Sequence, residues 1–218
     1  AVGLAMRESL YGAAVELITE RGYEQTTLRD IASRAGVSPA LLYRYFPSKS
    51  AVVLDLYERL SSAYAARAVA LPPGNWSDRF LFALTTSLEV LAPHRAALAS
   101  LLPVLVGDRD EGVLSPASAA CRLGVEAVFV EAVTGARNPP GTREDAAALG
   151  RLLYLAHLAV LLFWMLDRSS AGRATSALLE IARRTLPLLG VALRLGRVRS
   201  LVRDLDAQVQ SGLFSDDV

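Results

Sequence analysis

Apolar residues recur at intervals of three and four along almost the whole chain, and alternation with period two is absent. The pattern predicts helices throughout and no sheet. Leu10, Ala13, Ala14, Leu17 and Ile18 form the first such stripe, within residues 5–22, and Gly22 follows as a helix stop. Thr27, with Asp30 three residues on, has the pattern of a capping box opening a short helix. Leu28, Ile31, Ala32 and Ala35 make its inward face, and Gly36 stops it after about two turns. Ser38 caps a second short helix, running to about Phe46, with Pro39 at the first position, where its missing N–H costs nothing. Pro47 breaks that helix, and Ser48 caps a longer one predicted from Lys49 to about Leu71.

Helical patterns resume at 78–92, 94–106 and 115–134, and two long apolar helices follow at 143–168 and 173–195. Residues 72–77, 107–112 and 135–141 are polar or Pro/Gly-rich connections, and the end, 211–218, is expected to fray. The predicted fold class is all-α, with a three-helix N-terminal unit at residues 1–48 and a larger helical domain at 49–218.

Two helices of two turns joined by Gly-Val-Ser cannot lie as a parallel pair; such a turn sends the second across the first. That is the geometry of a helix-turn-helix, whose second helix enters the major groove of DNA. Leu42 and Phe46, four apart, share the inward face with Val37. Ala40, Leu41, Arg44 and Tyr45 are expected on the opposite face. There Arg44 could donate two hydrogen bonds to a guanine edge, and Ala40 and Leu41 could meet thymine methyls. Tyr43 lies on the flank, within reach of a phosphate. Lys49 sits in the first turn of the next helix, whose N–H groups already favour an anion, and Thr27 opens the crossing helix in the same way. Each residue alone also fits an ordinary role: Tyr43 and Tyr45 as half-buried aromatics, Arg44 as a solvated arginine, Lys49 as a helix start. Their joint placement opposite a core face points to DNA.

The stretch "ELITERGYEQTTLRDIASRAGVSPALLYRYFPSKSAVVLDLY", within residues 10–60, resembles the DNA-binding domain of the TetR (tetracycline-repressor) family. Gly-Tyr at the end of a helix, Thr-Thr opening the next, then Ala-Gly-Val-Ser, Leu-Tyr, Tyr-Phe and Ser-Lys follow at the family's spacing. The likeness covers about a quarter of the chain. It implies that Tyr43 and Lys49 contact phosphates and that Ser38, Pro39, Ala40, Arg44 and Tyr45 face the groove. It also implies a homodimer formed through the last long helices and a small molecule bound among the helices of 50–168.

Composition narrows the classes. Of 218 residues, 52% are hydrophobic and 21% charged, which excludes disorder over most of the length. Net charge is +1, so DNA binding must come from local placement rather than a global basic field. Lys49 is the one lysine; every other basic side chain apart from two histidines is an arginine. The single cysteine, Cys121, forbids an internal disulfide. Arg7, Glu8 and Glu16 interrupt any apolar run of secretory length, and a cytoplasmic location is expected. Residues 152–166 are apolar on every face but fall short of the roughly 20 residues a spanning helix needs, so a buried helix is expected there rather than a membrane span. Neither a phosphate loop, a Gly-x-Ser-x-Gly nucleophile turn nor a metal-ligand spacing is present, and "DRDE" at 108–111 lacks the spacing of a calcium loop. No cofactor, metal or catalytic group is expected.

In the larger part, the 173–195 segment carries an apolar stripe at Leu178, Ile181, Ala182, Thr185, Leu189 and Leu193. With the 143–168 helix and their symmetry mates it would form a four-helix bundle across a two-fold axis. A monomeric core is the alternative. Trp76, Phe80, His94, Cys121, Phe129 and His157 are the candidate effector-pocket residues, each of which also fits plain core packing. Pro93, Pro103 and Pro187 would end or bend helices. The expected function is a ligand-responsive homodimeric transcriptional repressor that binds a pseudo-palindromic operator and is released by a small hydrophobic effector. The alternatives are a small-molecule-binding or catalytic helical protein with a merely structural helix-turn-helix, and a membrane-associated helical protein.

Overall fold

In the computed structural model, which describes residues 2–107, 112 and 115–214, the secondary structure is helical, with no strand among those residues. The helices are α1 (Val2–Arg21), α2 (Leu28–Arg34), α3 (Pro39–Tyr45), α4 (Lys49–Ala68), α5 (Trp76–Leu91), α6 (Arg95–Gly107), α7 (Ala119–Thr134), α8 (Arg143–Leu166), α9 (Arg173–Ala192) and α10 (Gly196–Leu213). The all-α expectation is borne out, and the predicted helices match to within a few residues. The expectation for 108–111 and for the last four residues falls outside the described residues. The chain divides into two compact units: residues 1–60 with 93–121, and residues 61–92 with 122–218.

The first unit is built around the short helices. The Thr27 hydroxyl accepts from the Asp30 N–H at 3.2 Å, and the Asp30 carboxylate accepts from the Thr27 N–H at 3.0 Å, closing the capping box. Gly22 at φ 87° and Gly36 at φ 68° take left-handed conformations at the ends of α1 and α2, where a side chain would be strained. The Ser38 hydroxyl accepts from the Leu41 N–H at 3.2 Å, and the Ser48 hydroxyl accepts from the Ala51 N–H at 3.1 Å. Leu10, Ala14, Leu17, Ile31, Leu42, Phe46 and Val52 form one buried cluster, with Leu28, Val37 and Tyr45 packed at its edge. At the end of α1, the Tyr23 N–H donates to the Ser100 hydroxyl of α6 at 2.8 Å.

The second unit holds the larger core. Tyr64, Trp76, Phe80, Leu84, Phe129, Leu149, Leu153 and Tyr154 pack together, and Leu179, Ala182, Leu186 and Leu189 of α9 close it on one side. Arg79 is buried and donates to the carbonyls of Ala132, Pro72 and Glu131 at 3.0, 3.1 and 2.8 Å. The inward stripe of α9 is therefore 179, 182, 186 and 189. Ile181 and Thr185, expected on the apolar stripe, lie exposed. The three prolines differ in effect: Pro93 lies in a 3-10 turn, Ala92–His94, between α5 and α6, whereas Pro103 and Pro187 are accommodated inside α6 and α9.

Helix α10 was not expected from the sequence. Ion pairs bind it to α8. The Arg151 Nε donates to both oxygens of Asp206 at 3.0 Å, and Asp145 pairs with Arg203 and, at 3.4 Å, with Arg199. Asp145 is also the N3 residue of a second capping box, with Thr142 as cap. The Thr142 N–H, then the Thr142 hydroxyl and Arg203, hold its carboxyl below the usual range despite its burial. Because the folded carboxyl titrates below the unfolded one, its contribution is present above the unfolded pKa of about 3.9 and is lost as pH falls through the folded value. Asp145→Asn should therefore lower stability near neutral pH by about 1–3 kcal/mol. The deficit should shrink on acidification, as urea denaturation at stepped pH would record.

Candidate functional site

With Leu42 and Phe46 anchored, α3 turns Ala40, Tyr43 and Arg44 to solvent. These positions, related by three and four, share one helix face. Ser38 and Pro39 at the head of the helix are exposed too. Arg44 makes no ion pair among the described residues, so its guanidinium is available to a ligand. Tyr43 is half exposed, at 50%. Leu41 and Tyr45 are half-buried on the flank, and Tyr45 leans on the core cluster, with its hydroxyl 3.7 Å from where a side chain at Gly3 would begin. Thr27 is exposed at the head of α2, its hydroxyl taken up by the Asp30 carboxylate at 2.6 Å.

Lys49 is held rather than free. Its ammonium donates to the Tyr23 carbonyl at 2.9 Å and sits 3.9 Å from the centre of the Tyr23 ring. One of its three N–H donors is thus used, and the charge is fixed beside the end of α1 and the start of α4. The link joins the turn before α2 to the start of α4, 26 residues apart, and carries no periodic signal, so only coordinates reveal it. Among the described residues no group of three or more metal-ligating side chains comes together.

Four of the six candidate pocket residues, Trp76, Phe80, Phe129 and His157, come together in the core of the second unit. His94 and Cys121 belong to the first unit and are half-buried there. Burial, and then the Glu58 carboxylate, push the Cys121 thiol up. Phe129 lies at the centre of the ring cluster, 4.6 Å from His157, 5.9 Å from Phe80, 6.1 Å from Tyr154 and 6.3 Å from Tyr64, centroid to centroid. His157 Nε2 and the Ser87 hydroxyl share a hydrogen bond of 2.8 Å. Ser87 escaped the sequence reading because nothing distinguishes it from other small residues on α5. An open depression of about 320 Å³ lies elsewhere in the unit, lined by Glu131, Thr134, Pro139, Thr142 and Arg143 among others, and none of the six residues borders it.

Comparison with known proteins fits this geometry. Residues 10–56, the segment from α1 through the start of α4, match the family described as bacterial regulatory proteins, tetR family. Over that segment the chain is similar to the TetR family of bacterial regulatory proteins. It is 26% identical over 171 residues to the transcriptional repressor KstR of Rhodococcus jostii (strain RHA1), covering 76% of this chain and 75% of that one. Several other curated regulators it matches are covered over about half of their length or less. Among solved structures, a tetR-family transcriptional regulator from Streptomyces coelicolor superposes with a TM-score of 0.63 at 20% identity, covering 97% of this chain and 93% of that one. FadR of Thermus thermophilus, a TetR-family repressor in complex with lauroyl-CoA, superposes with a TM-score of 0.60 at 24% identity, covering 83% and 92%. At these identities the superpositions establish the fold.

Two outcomes follow from the site. Arg44→Ala should cost about 1–3 kcal/mol at a single base position, visible as relaxed preference there across single-base operator variants. Burial pushes His157 down to about 3, so the folded state keeps it neutral where the unfolded chain, at about 6.5, takes up a proton. The neutral histidine's contribution is present above about pH 6.5 and falls by about 1.4 kcal/mol per pH unit toward pH 3. His157→Leu should flatten that part of the stability–pH curve measured by denaturation.

Proposed function

We propose that the chain is a homodimeric, ligand-responsive transcriptional repressor that reads a pseudo-palindromic operator through α3 and is released by a small, largely apolar effector. The single observation that carries this reading is the exposed Ala40–Tyr43–Arg44 face of α3, set opposite a fully buried Leu42–Phe46 face within the segment that matches the family. Arg44 is the proposed base-reading residue. Ser38, Pro39, Ala40 and Leu41 border the groove. Thr27, Tyr43 and Lys49 are the proposed phosphate contacts, Lys49 being held by its bond to Tyr23, and Tyr45 is proposed at the edge of the groove. Residues 1–48 are the proposed DNA-binding domain and 49–218 the effector and dimerisation domain, in a cytoplasmic protein.

One α3 spans only a few base pairs. Two, held about 34–36 Å apart, meet successive major-groove faces of one DNA side. The proposed dimer surface is the outer face of α8 and α9. Leu162, Phe163 and Leu166 at the end of α8 are exposed, as are Ile181, Leu188 and Val191 of α9, at 57, 68 and 58%. Apolar side chains at such density on one side of a helix are characteristic of an interface. By length and composition Trp76–Val106 and Arg143–Leu166 could also cross a membrane. However, α8 carries the paired Asp145 and Arg151 and the buried His157, which favours the reading as a core and interface helix.

Helix α4 begins at Lys49 in the first unit and reaches Tyr64 in the ring cluster of the second. A ligand parting the rings would shift α4 and change the separation of the two α3 helices. FadR relatives crystallised with acyl-CoA supply a precedent for an apolar effector. The test is retardation of the DNA flanking the protein's own gene, with Leu188→Glu as the dimer probe. The variant should elute at half the wild-type mass and lose retardation. A dimeric Leu188→Glu protein overturns the interface, and a wild type that retards no such fragment overturns the regulator.

A further inference from the structure

The ring cluster of the second unit contains buried polar atoms that its own packing leaves unsatisfied. Tyr64 is 3% exposed and His157 2% exposed, and among the described residues neither the Tyr64 hydroxyl nor His157 Nδ1 has a hydrogen-bond partner. The two rings are nearly parallel, at 12°, with centroids 6.3 Å apart, and Phe129 lies against both. A buried polar atom without a partner costs free energy that an apolar atom there would not. Phe in place of Tyr64 would fill the same space without that cost, so the sequence retains a destabilising hydroxyl.

We propose that Tyr64 and His157 form the polar end of an effector site that takes an uncharged oxygen function, a hydroxyl or carbonyl, carried on an apolar body. This rests on the reading of the second unit as the effector domain. The chemistry follows from the atoms present. The Tyr64 O–H can donate to a carbonyl or hydroxyl oxygen. The His157 ring, tied at Nε2 to Ser87, presents Nδ1 as a donor or an acceptor according to tautomer. A hydroxyl can satisfy either state, and a carbonyl the donor state. Phe80, Phe129 and Tyr154 supply an apolar wall. Neither Tyr64 nor neutral His157 offers a charge to offset the desolvation of a carboxylate, so an anionic head is disfavoured at this point. The rings already touch, so a ligand enters by separating α4 and α5 from α7 and α8.

The probes are 1-octanol, 2-octanone and octanoate, titrated calorimetrically into the full-length protein, with melting temperatures recorded in parallel. Wild type should bind octanol and octanone and bind octanoate at least about tenfold more weakly. Tyr64→Phe should weaken octanol about tenfold while raising the melting temperature of the ligand-free protein, a combination that a purely structural hydroxyl would not give. His157→Leu should weaken octanol as well. No binding of octanol, octanoate binding as tightly as octanol, unchanged octanol affinity in Tyr64→Phe, or a lower ligand-free melting temperature in that variant would each overturn the proposal. Operator retardation measured without ligand separates the two readings. Retardation intact with none of these ligand effects removes the polar site and leaves the regulator standing.

Discussion

A seven-residue helix cannot support itself in water, because nucleation fixes several residues for the first hydrogen bond. Helix α3 persists because Leu42 and Phe46 are drawn into a core with Leu10, Leu17 and Ile31, and because the Ser38 hydroxyl and Pro39 deal with its unpaired N–H groups. The geometry of the exposed face depends on that anchoring. Once positions 42 and 46 point inward, the 100° step of the helix obliges 40, 43 and 44 to point outward. The Arg44 guanidinium owes its availability to the apolar side chains behind it. Packing on the hidden face thus decides which side chains the visible one presents.

The second unit is organised by the opposite principle. The core of the first unit satisfies its polar groups through caps and turns, with Thr26 buried and bonded to the Gly22 carbonyl at 2.8 Å. The second unit keeps the Tyr64 hydroxyl and His157 Nδ1 buried and, among the described residues, unpaired. Arg79, buried in the same unit, finds oxygen partners for all of its nitrogens. Stability given up locally at a site that a ligand can complete is a recurrent trade between function and folding. Here it falls on α4, the helix whose first residue is fixed against Tyr23.

The elements legible in the sequence were those whose signals are local. The Thr27–Asp30 capping box, the Ser38–Pro39 start and the glycines at 22 and 36 act within four residues, and each is seen in the structure. What was not legible depends on distant partners. Helix α10 looks polar because Arg199, Arg203 and Asp206 lie along it; they are tied to Asp145 and Arg151, more than fifty residues earlier. On α9 the inward stripe runs through Leu179, Ala182, Leu186 and Leu189, while Ile181 and Thr185 of the predicted stripe are exposed, because the partner that fixes the rotation of the helix is the distant core of α5 and α8. Tyr45 was assigned to the outer face from its place on α3, yet its ring finds the edge of the core. The candidate pocket gathered aromatic residues by type alone. Four of the six converge, and His94 and Cys121 fall in the other unit because residues 93–121 pack with the N-terminal helices, a long-range association invisible in composition.

The apolar surface left on α8 and α9 bears on the choice between a membrane and a second protein. A lipid-facing helix needs apolar residues around its circumference over its whole span. Here Leu162, Phe163 and Leu166 are confined to one end of α8, whose first half is pinned by Asp145 and Arg151 to α10. On α9 the exposed Ile181, Leu188 and Val191 are interrupted by Glu180, Arg183 and Arg184, which pair with one another at the surface. An apolar strip rimmed by charges suits a partner that is itself apolar at the centre and polar at the edge, which a two-fold copy of the same strip provides. Such a copy would also meet the demand set by the role proposed for α3, since a short recognition helix reads too few base pairs alone and gains specificity only when a rigid interface fixes its distance to a second.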